Sequence, residues 1–285
     1  MKKRGFWQNG YLALILAVMY IPLILVIAFS FNESHLNSVW KGFTFKWYGE
    51  LFRDRAMFDA LWNSLVLAVS ASLLAGILGT LGAVGKASPR NQGVGPGIRR
   101  MNDALEYLSI LPIMLPEIIL GMVFLAYFNL LRLPPGMLTL IISHTAFCVP
   151  YVYLVVQGRL AGMDKSYTEA AKNLGAGPQR VFFDITLPLI LPAVISGMLL
   201  SFAMSFDDVI ISVFVTGPRV NTLPIRIYSQ LKTGITPKTN ALCVLLFIVA
   251  VILCILSTYL SGIRTRDTGK TPRHKRRGEK TRGVE

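Results

Sequence analysis

The chain has 285 residues, 53% of them apolar and only 15% charged, yet 29 Lys and Arg stand against 15 Asp and Glu for a formal charge of +14. A soluble domain devotes about 25% of its residues to charge, so this chain has too little polar side chain to cover a water-facing surface, and its composition points to the membrane class. Nucleic acid is set aside as a partner, because its binders show basic stripes interleaved with aromatics on a polar face and here the bases lie between long apolar runs.

The three cysteines, Cys148, Cys243 and Cys254, lie inside apolar segments without metal spacing, so no disulfide framework, zinc site or cofactor is expected. A bilayer core takes about 20 residues of helix, and six stretches meet or approach that length: 11–31, 61–84, 105–131, 137–157, 188–215 and 241–262. Lys2, Lys3 and Arg4 before the first run resemble the start of a signal peptide. The run is too long for one and Ala28-x-Ser30 is a weak cleavage signal, so it reads as an uncleaved helix. With the N-terminus inside, the cytoplasmic segments hold 20 bases and the external ones 9, as the positive-inside rule asks. Both termini are then cytoplasmic. The segment after the fifth span fits less well, with Arg219, Arg226, Lys232 and Lys238 and no acid.

In chain order, residues 32–60 balance four bases with four acids and carry Trp40, Trp47 and Tyr48, predicting an ordered external loop with a short helix at the membrane surface. Gly76, Gly79, Gly82 and Gly85 on the second span allow close helix approach, within this chain or at a dimer seam. The third span carries Glu117 near its middle, after Pro112 and Pro116, which break the helical ladder; a broken helix at that depth is tolerated where it lines a cavity. His144 on the fourth span reads as an interhelical hydrogen-bonder ahead of a proton relay. Asp207 and Asp208 follow 22 uncharged residues on the fifth span.

A charge at the centre of a lipid-exposed helix costs roughly 2.5–3.5 kcal/mol, and no Lys or Arg lies inside a span to neutralise these three acids. The sequence therefore offers a cationic substrate as their counter-charge, since acidic linings favour cations. The plainer readings are a protonated, hydrogen-bonded Glu117 and an interfacial helix end at Asp207 and Asp208. Trp47 and Tyr48 suit either cation–π contact with an ammonium or a belt of interfacial anchors.

Between the fourth and fifth spans, Ser166-x-x-Glu169 reads as a capping box that opens a helix. Ala170 and Ala171 keep one of its faces slim, Gly175 suits the left-handed residue that ends it, and Pro178 opens a second short helix. Glu169-Ala170-Ala171, three residues, Gly175, nine residues, then Ile185-x-Leu187-Pro188 resembles the EAA loop of ABC-importer permeases at every defining position. The likeness extends through Phe45-Lys46-Trp47-Tyr48, His144-Thr145-Ala146-Phe147-Cys148, Ser205-Phe206-Asp207-Asp208 and Thr222-Leu223-Pro224 to the permease subunits of spermidine/putrescine importers.

That resemblance implies an all-α type I ABC importer permease fold in the bacterial inner membrane. Residues 1–60 would form the first span and external loop, 61–262 the permease core with its coupling loop at 164–188, and 263–285 a basic cytoplasmic tail. It assigns Glu169, Ala170, Ala171 and Gly175 to coupling with an ATPase, and Trp47, Glu117, Ser205, Asp207 and Asp208 to the substrate path; Glu117 replaces the family's aspartate. It also implies a second permease, two ATP-binding subunits and an extracytoplasmic polyamine-binding protein as partners.

Gly85-Lys86-Ala87 is no phosphate loop, since Thr80 stands where its first glycine belongs and Ala87 lacks the Mg²⁺-binding hydroxyl. The chain is therefore not expected to be an enzyme. An ABC permease for an oxyanion or ferric iron, a stand-alone secondary transporter using Glu117 as proton carrier, and a membrane scaffold are the rival readings. The tail from Arg264 holds nine bases and three acids and suits anionic lipid headgroups, so the net charge says little about cargo.

Overall fold

The computed structural model describes residues 2–34, 39–87, 104, 107, 109–164, 166–234 and 236–267. Most of the basic tail, the stretch between the second and third spans and parts of the third span's start lie outside these residues. The described chain is helical throughout apart from its connections and one isolated antiparallel bridge, Asn32 to Phe43. It divides into two compact units, Met1–Leu51 with Ile235–Glu285, and Phe52–Gly234.

In the first unit, α1 (Lys2–Phe29) packs against α11 (Pro237–Asp267). The apolar window of α1, Gly10–Phe29, buries none of its residues against protein, as suits a helix clothed in lipid or by another chain. After α1 the chain turns back through the Asn32–Phe43 bridge into α2 (Lys46–Arg53), a short helix as the sequence led one to expect in this loop. Phe31 anchors this connection, with its ring centroid 5.0 Å from Phe43, 5.3 Å from Phe45 and 5.3 Å from Tyr48.

The second unit is built on three long helices: α3 (Arg55–Ala87), α5 (Met137–Ala161) and α8 (Leu187–Asp207). At 1.5 Å per residue the 33 residues of α3 run to about 50 Å, well beyond a hydrocarbon core of about 30 Å. The three pack on one another around Leu67, Ala75, Ala83, Leu140, Val152, Val156 and Ile190. Glycines make the approach possible. A Cβ on Gly79 would sit 2.9 Å from Val152 Cβ and 3.0 Å from the Tyr153 backbone nitrogen, and one on Gly76 would meet Met198. Gly76, Gly79 and Gly82 therefore serve packing within this chain, whereas a Cβ on Gly85 would meet nothing within 4 Å.

Among the described residues, four helices are long and apolar enough to cross a membrane: Gly10–Phe29, Arg55–Ala87, Met137–Ala161 and Pro178–Asp207. Glu117–Leu130, which is α4, and Pro237–Ile252 within α11 are shorter apolar helices. The chain is thus a multi-pass membrane protein.

Two expected spans are interrupted. Helical residues 109–114 stop at Leu115 and Pro116, and α4 starts at Glu117, so Pro116 breaks the third span as expected, whereas Pro112 lies within the helical residues before the break. The apolar stretch expected as the fifth span, 188–215, is not one helix. Instead α8 ends at Asp207, Asp208 adopts extended backbone (φ −67°, ψ 127°), and a short helix α9 (Ile210–Val215) follows. Asp208 causes this ending, because its side chain competes for backbone N–H groups that a continuous helix would need.

The fifth span also starts earlier than expected. Pro178–Arg180, α7, runs through the wide turn Val181–Thr186 directly into α8. The widening has a cause in sequence: Pro188 has no N–H for the normal ladder, and the Leu187 N–H reaches back five residues to the Phe182 carbonyl.

Candidate transport path and coupling loop

Each of the two helix breaks carries an acid at the start of the helix that follows. Glu117 is the first residue of α4, after Pro116. A carboxylate in a helix's first turn is favoured by the free N–H groups and the positive end of the helix dipole. Asp208 goes further, for its Oδ1 accepts from Ile211 N–H at 3.2 Å and its Oδ2 from Ser212 N–H at 2.8 Å. Its side chain is only 4% exposed and lies 3.4 Å from Nε2 of His144. The sequence, lacking any Lys or Arg in the spans, left Asp208 without a partner inside the chain. Its partners are helix-end amides and a histidine, which a count of formal charges does not reveal.

His144 is fully buried on α5. Its Nδ1 is 2.8 Å from Ser205 Oγ on α8 and its Nε2 is 3.0 Å from Ser212 Oγ on α9. The interhelical role expected for His144 is thus what the structure has. Ser205, assigned to the path by resemblance, is buried with it, whereas Asp207 is exposed at the end of α8. Two adjacent acids therefore occupy opposite environments.

His144, Cys148 and Tyr151 follow one another at i, i+4 and i+7, one face of α5. Cys148 donates to the Ser201 carbonyl at 3.4 Å. Tyr151 packs edge-on to Phe147 at 5.5 Å. The acids of the two breaks stand at the starts of α4 and α9. The α4 and α9 segments that carry them pack closely, since a Cβ on Gly121 would come within 2.6 Å of the Phe214 ring.

Trp47 belongs to the first unit. It is 2% exposed, its Nε1 donates to the Asn32 carbonyl at 2.6 Å, and Lys46 Nζ lies 5.5 Å from its ring centroid. The ring already has a cation of this chain beside it.

The loop between α5 and α8 begins with α6 (Ser166–Asn173). Asp164 supplies the cap, accepting from the Ser166 N–H at 2.9 Å; the backbone bond and the Ser166 hydroxyl hold this exposed carboxyl below the usual aspartate range. Gly175 has φ +81°, the left-handed residue expected there. Around it Ala176 N–H bonds to the Ala171 carbonyl at 3.0 Å and Gly175 N–H to that of Lys172 at 2.9 Å, a complete Schellman ending. Ala171 is buried on the side where α6 meets the wide turn 181–186, whereas Glu169, Ala170 and Gly175 are exposed. Leu174, which motif spacing did not single out, is 89% exposed and gives this small polar face an apolar tip.

Arg226, on α10 (Leu223–Thr233), lies 3.6 Å from Asp54. An arginine that the sequence left without an acid in its own segment is paired with one preceding α3.

This all-helical, multi-pass arrangement, with its capped two-helix loop and broken spans, defines a membrane permease. Two solved importers share the fold. One, a bacterial ABC transporter that imports the acidic polysaccharide alginate, superposes with a TM-score of 0.69 at 15% identity, covering 90% of this chain and 96% of that one. The other, the MetNI methionine ABC transporter, gives 0.58 at 17% identity, covering 78% and 98%.

Residues 98–263 match the family described as binding-protein-dependent transport system inner membrane component, and the chain belongs to that family. It is 38% identical over 281 residues to the putrescine transport system permease protein PotI of Escherichia coli K12, covering 96% of this chain and 98% of the relative. It is 37% identical over 258 residues to the spermidine/putrescine transport system permease protein PotC of Haemophilus influenzae, covering 90% and 97%. These relatives are transport permeases.

Proposed function

We propose that the chain is a permease subunit of an ATP-driven importer in the bacterial inner membrane, and that it forms part of the transmembrane path for putrescine or spermidine. The observation that carries the reading is full-length likeness to two polyamine permeases in a chain whose two mid-span breaks both present carboxylates. A polyamine crossing the bilayer must exchange the water around each ammonium for fixed oxygen acceptors, and acids at helix breaks supply them where lipid cannot. Glu117 and Asp207 contact the cargo, with Ser205 and Asp208 shaping the same place and Trp47 acting near the external entrance.

The chain spans the membrane six times with both termini in the cytoplasm. Its coupling loop, through Glu169, Ala170, Gly175 and the apolar tip Leu174, docks on one of two ATP-binding subunits, and ATP hydrolysis takes place there. A second permease completes the path and an extracytoplasmic binding protein delivers the polyamine. Closure of the ATPase pair moves α6, and the bundle changes the side to which its path opens. The pairing of Arg226 with Asp54 speaks against the oxyanion reading, because this arginine already has an anion of its own.

The test is uptake of labelled putrescine and spermidine by a strain lacking its polyamine importers and complemented with this chain and its partner subunits. Saturable, ATP-dependent uptake of either polyamine is the expected result. An assembled complex that takes up neither overturns the assignment of cargo.

A further inference from the structure

We infer that His144 is a positioning residue of the transport path: it fixes the angle of the α8–α9 break and thereby aims Asp207 at the cargo, without touching the cargo itself. The inference rests on the transport reading above. The imidazole is at the one point where three segments meet. Nδ1 holds Ser205 in the last turn of α8 at 2.8 Å, Nε2 holds Ser212 in α9 at 3.0 Å, and the Asp208 carboxylate that closes the break stands 3.4 Å from Nε2. A neutral imidazole offers one donor and one acceptor, and serine hydroxyls supply either complement, so both ring nitrogens are engaged by residues on opposite sides of the break. His144 has no exposed surface and so no route to a passing solute.

The consequence for Asp207 follows from covalent geometry. Asp207 is the last residue of α8 and is exposed, while Asp208 beside it is turned inward as the cap of α9. Only two residues, Asp208 and Val209, separate the two helices. The direction of the Asp207 side chain is therefore set by how α8 ends, and the tie from Ser205 through His144 to Ser212 sets that ending. Buried polar networks with every member satisfied hold one geometry firmly, and the loss of one member leaves the others unpaired in a low-dielectric interior.

The experiment uses the full complex and compares wild type with His144→Leu, which removes both bonds at similar volume, and His144→Gln, whose amide retains a donor and an acceptor. Asp207→Glu, which keeps the carboxylate on a longer arm and so leaves uptake measurable, and the double variant His144→Leu/Asp207→Glu complete a cycle. Uptake is measured against polyamine concentration and normalised to assembled complex. His144→Leu is expected to lower uptake about tenfold, within the range of coupling between interacting residues, and His144→Gln to recover most of it. The double variant should be no worse than the poorer single one.

A second measurement is independent of cargo. With Cys148, Cys243 and Cys254 replaced by alanine, Asp207→Cys is labelled with a cationic methanethiosulfonate, and its rate should change several-fold when His144→Leu is added and return with His144→Gln. Normalised uptake and labelling that ignore His144→Leu overturn the inference, as do effects of the two single variants that multiply independently. Absence of polyamine uptake in wild type strikes the cargo assignment alone, and the labelling rates then decide on His144.

Discussion

Gly175 offers a perturbation whose size can be worked out from backbone geometry alone. It sits at φ +81° with nothing within 4 Å of the position its Cβ would take, so Gly175→Ala introduces no clash. What it introduces is the left-handed penalty of an L-residue, roughly 1–2 kcal/mol. That acts against the two bonds that close α6, Ala176 N–H to Ala171 and Gly175 N–H to Lys172. A penalty of this size shifts a local order equilibrium by about 5–30-fold, and the exposed loop has little buried surface with which to resist.

Gly177 provides the control two residues away. Its φ of −67° and ψ of 160° suit any residue, and a Cβ there also meets nothing. The assay titrates the ATP-binding subunit onto the permease in lipid nanodiscs. Gly175→Ala should weaken the association by up to about 30-fold, Gly175→Asn less because asparagine tolerates the left-handed region, and Gly177→Ala not at all. Thermal unfolding of the helix bundle should be unchanged in all three. Equal affinities for Gly175→Ala and Gly177→Ala would refute the reasoning.

Other outcomes follow from the same coordinates. Gly79→Ala places a methyl 2.9–3.0 Å from Val152 and the α5 backbone, and should destabilise the bundle by about 1–3 kcal/mol; Gly85→Ala, with open space around it, should leave the unfolding temperature in detergent unchanged. Trp47→Phe removes the 2.6 Å bond to Asn32 and should cost about 1–3 kcal/mol, measured by the same melting experiment; a lowered uptake with unchanged stability would assign Trp47 to the cargo instead. Asp207→Asn should abolish polyamine uptake while the complex still co-purifies, and uptake at the wild-type rate would remove Asp207 from the path. Arg226→Gln breaks a partly exposed pair worth about 1 kcal/mol or less and should leave uptake intact; its loss in an assembled complex would revive an anionic cargo.

The parts of the fold legible in the sequence are those that depend on local chemistry. Apolar length gives the long helices, Pro116 gives the third-span break, and Gly175 gives the helix end, because each acts within one or two turns of itself. The start of α6 is a near miss of the same kind: the sequence offered a Ser166–Glu169 box, and the cap comes from Asp164 two residues earlier, an acceptor just as suitable. What depended on distant contacts was harder to see. Gly79 has the same neighbours in sequence whether it faces Val152 or a second subunit, and only the packing of α3 on α5 decides.

The adjacent acids show where that limit bears on function. Asp207 and Asp208 differ by one position and share every local signal, so sequence gives them one role. Asp207 is the last helical residue of α8 and Asp208 leaves the helix with extended backbone, and that change separates an exposed carboxylate from one whose two oxygens are held by α9 amides. A carboxylate so held has less capacity left to take over the hydration of an ammonium, whereas Asp207 keeps its oxygens toward the outside of α8. In the path proposed above Asp207 meets the cargo and Asp208 makes the break that presents it, while His144 on α5, bonded to Ser205 on one side of that break and to Ser212 on the other, holds the two sides together.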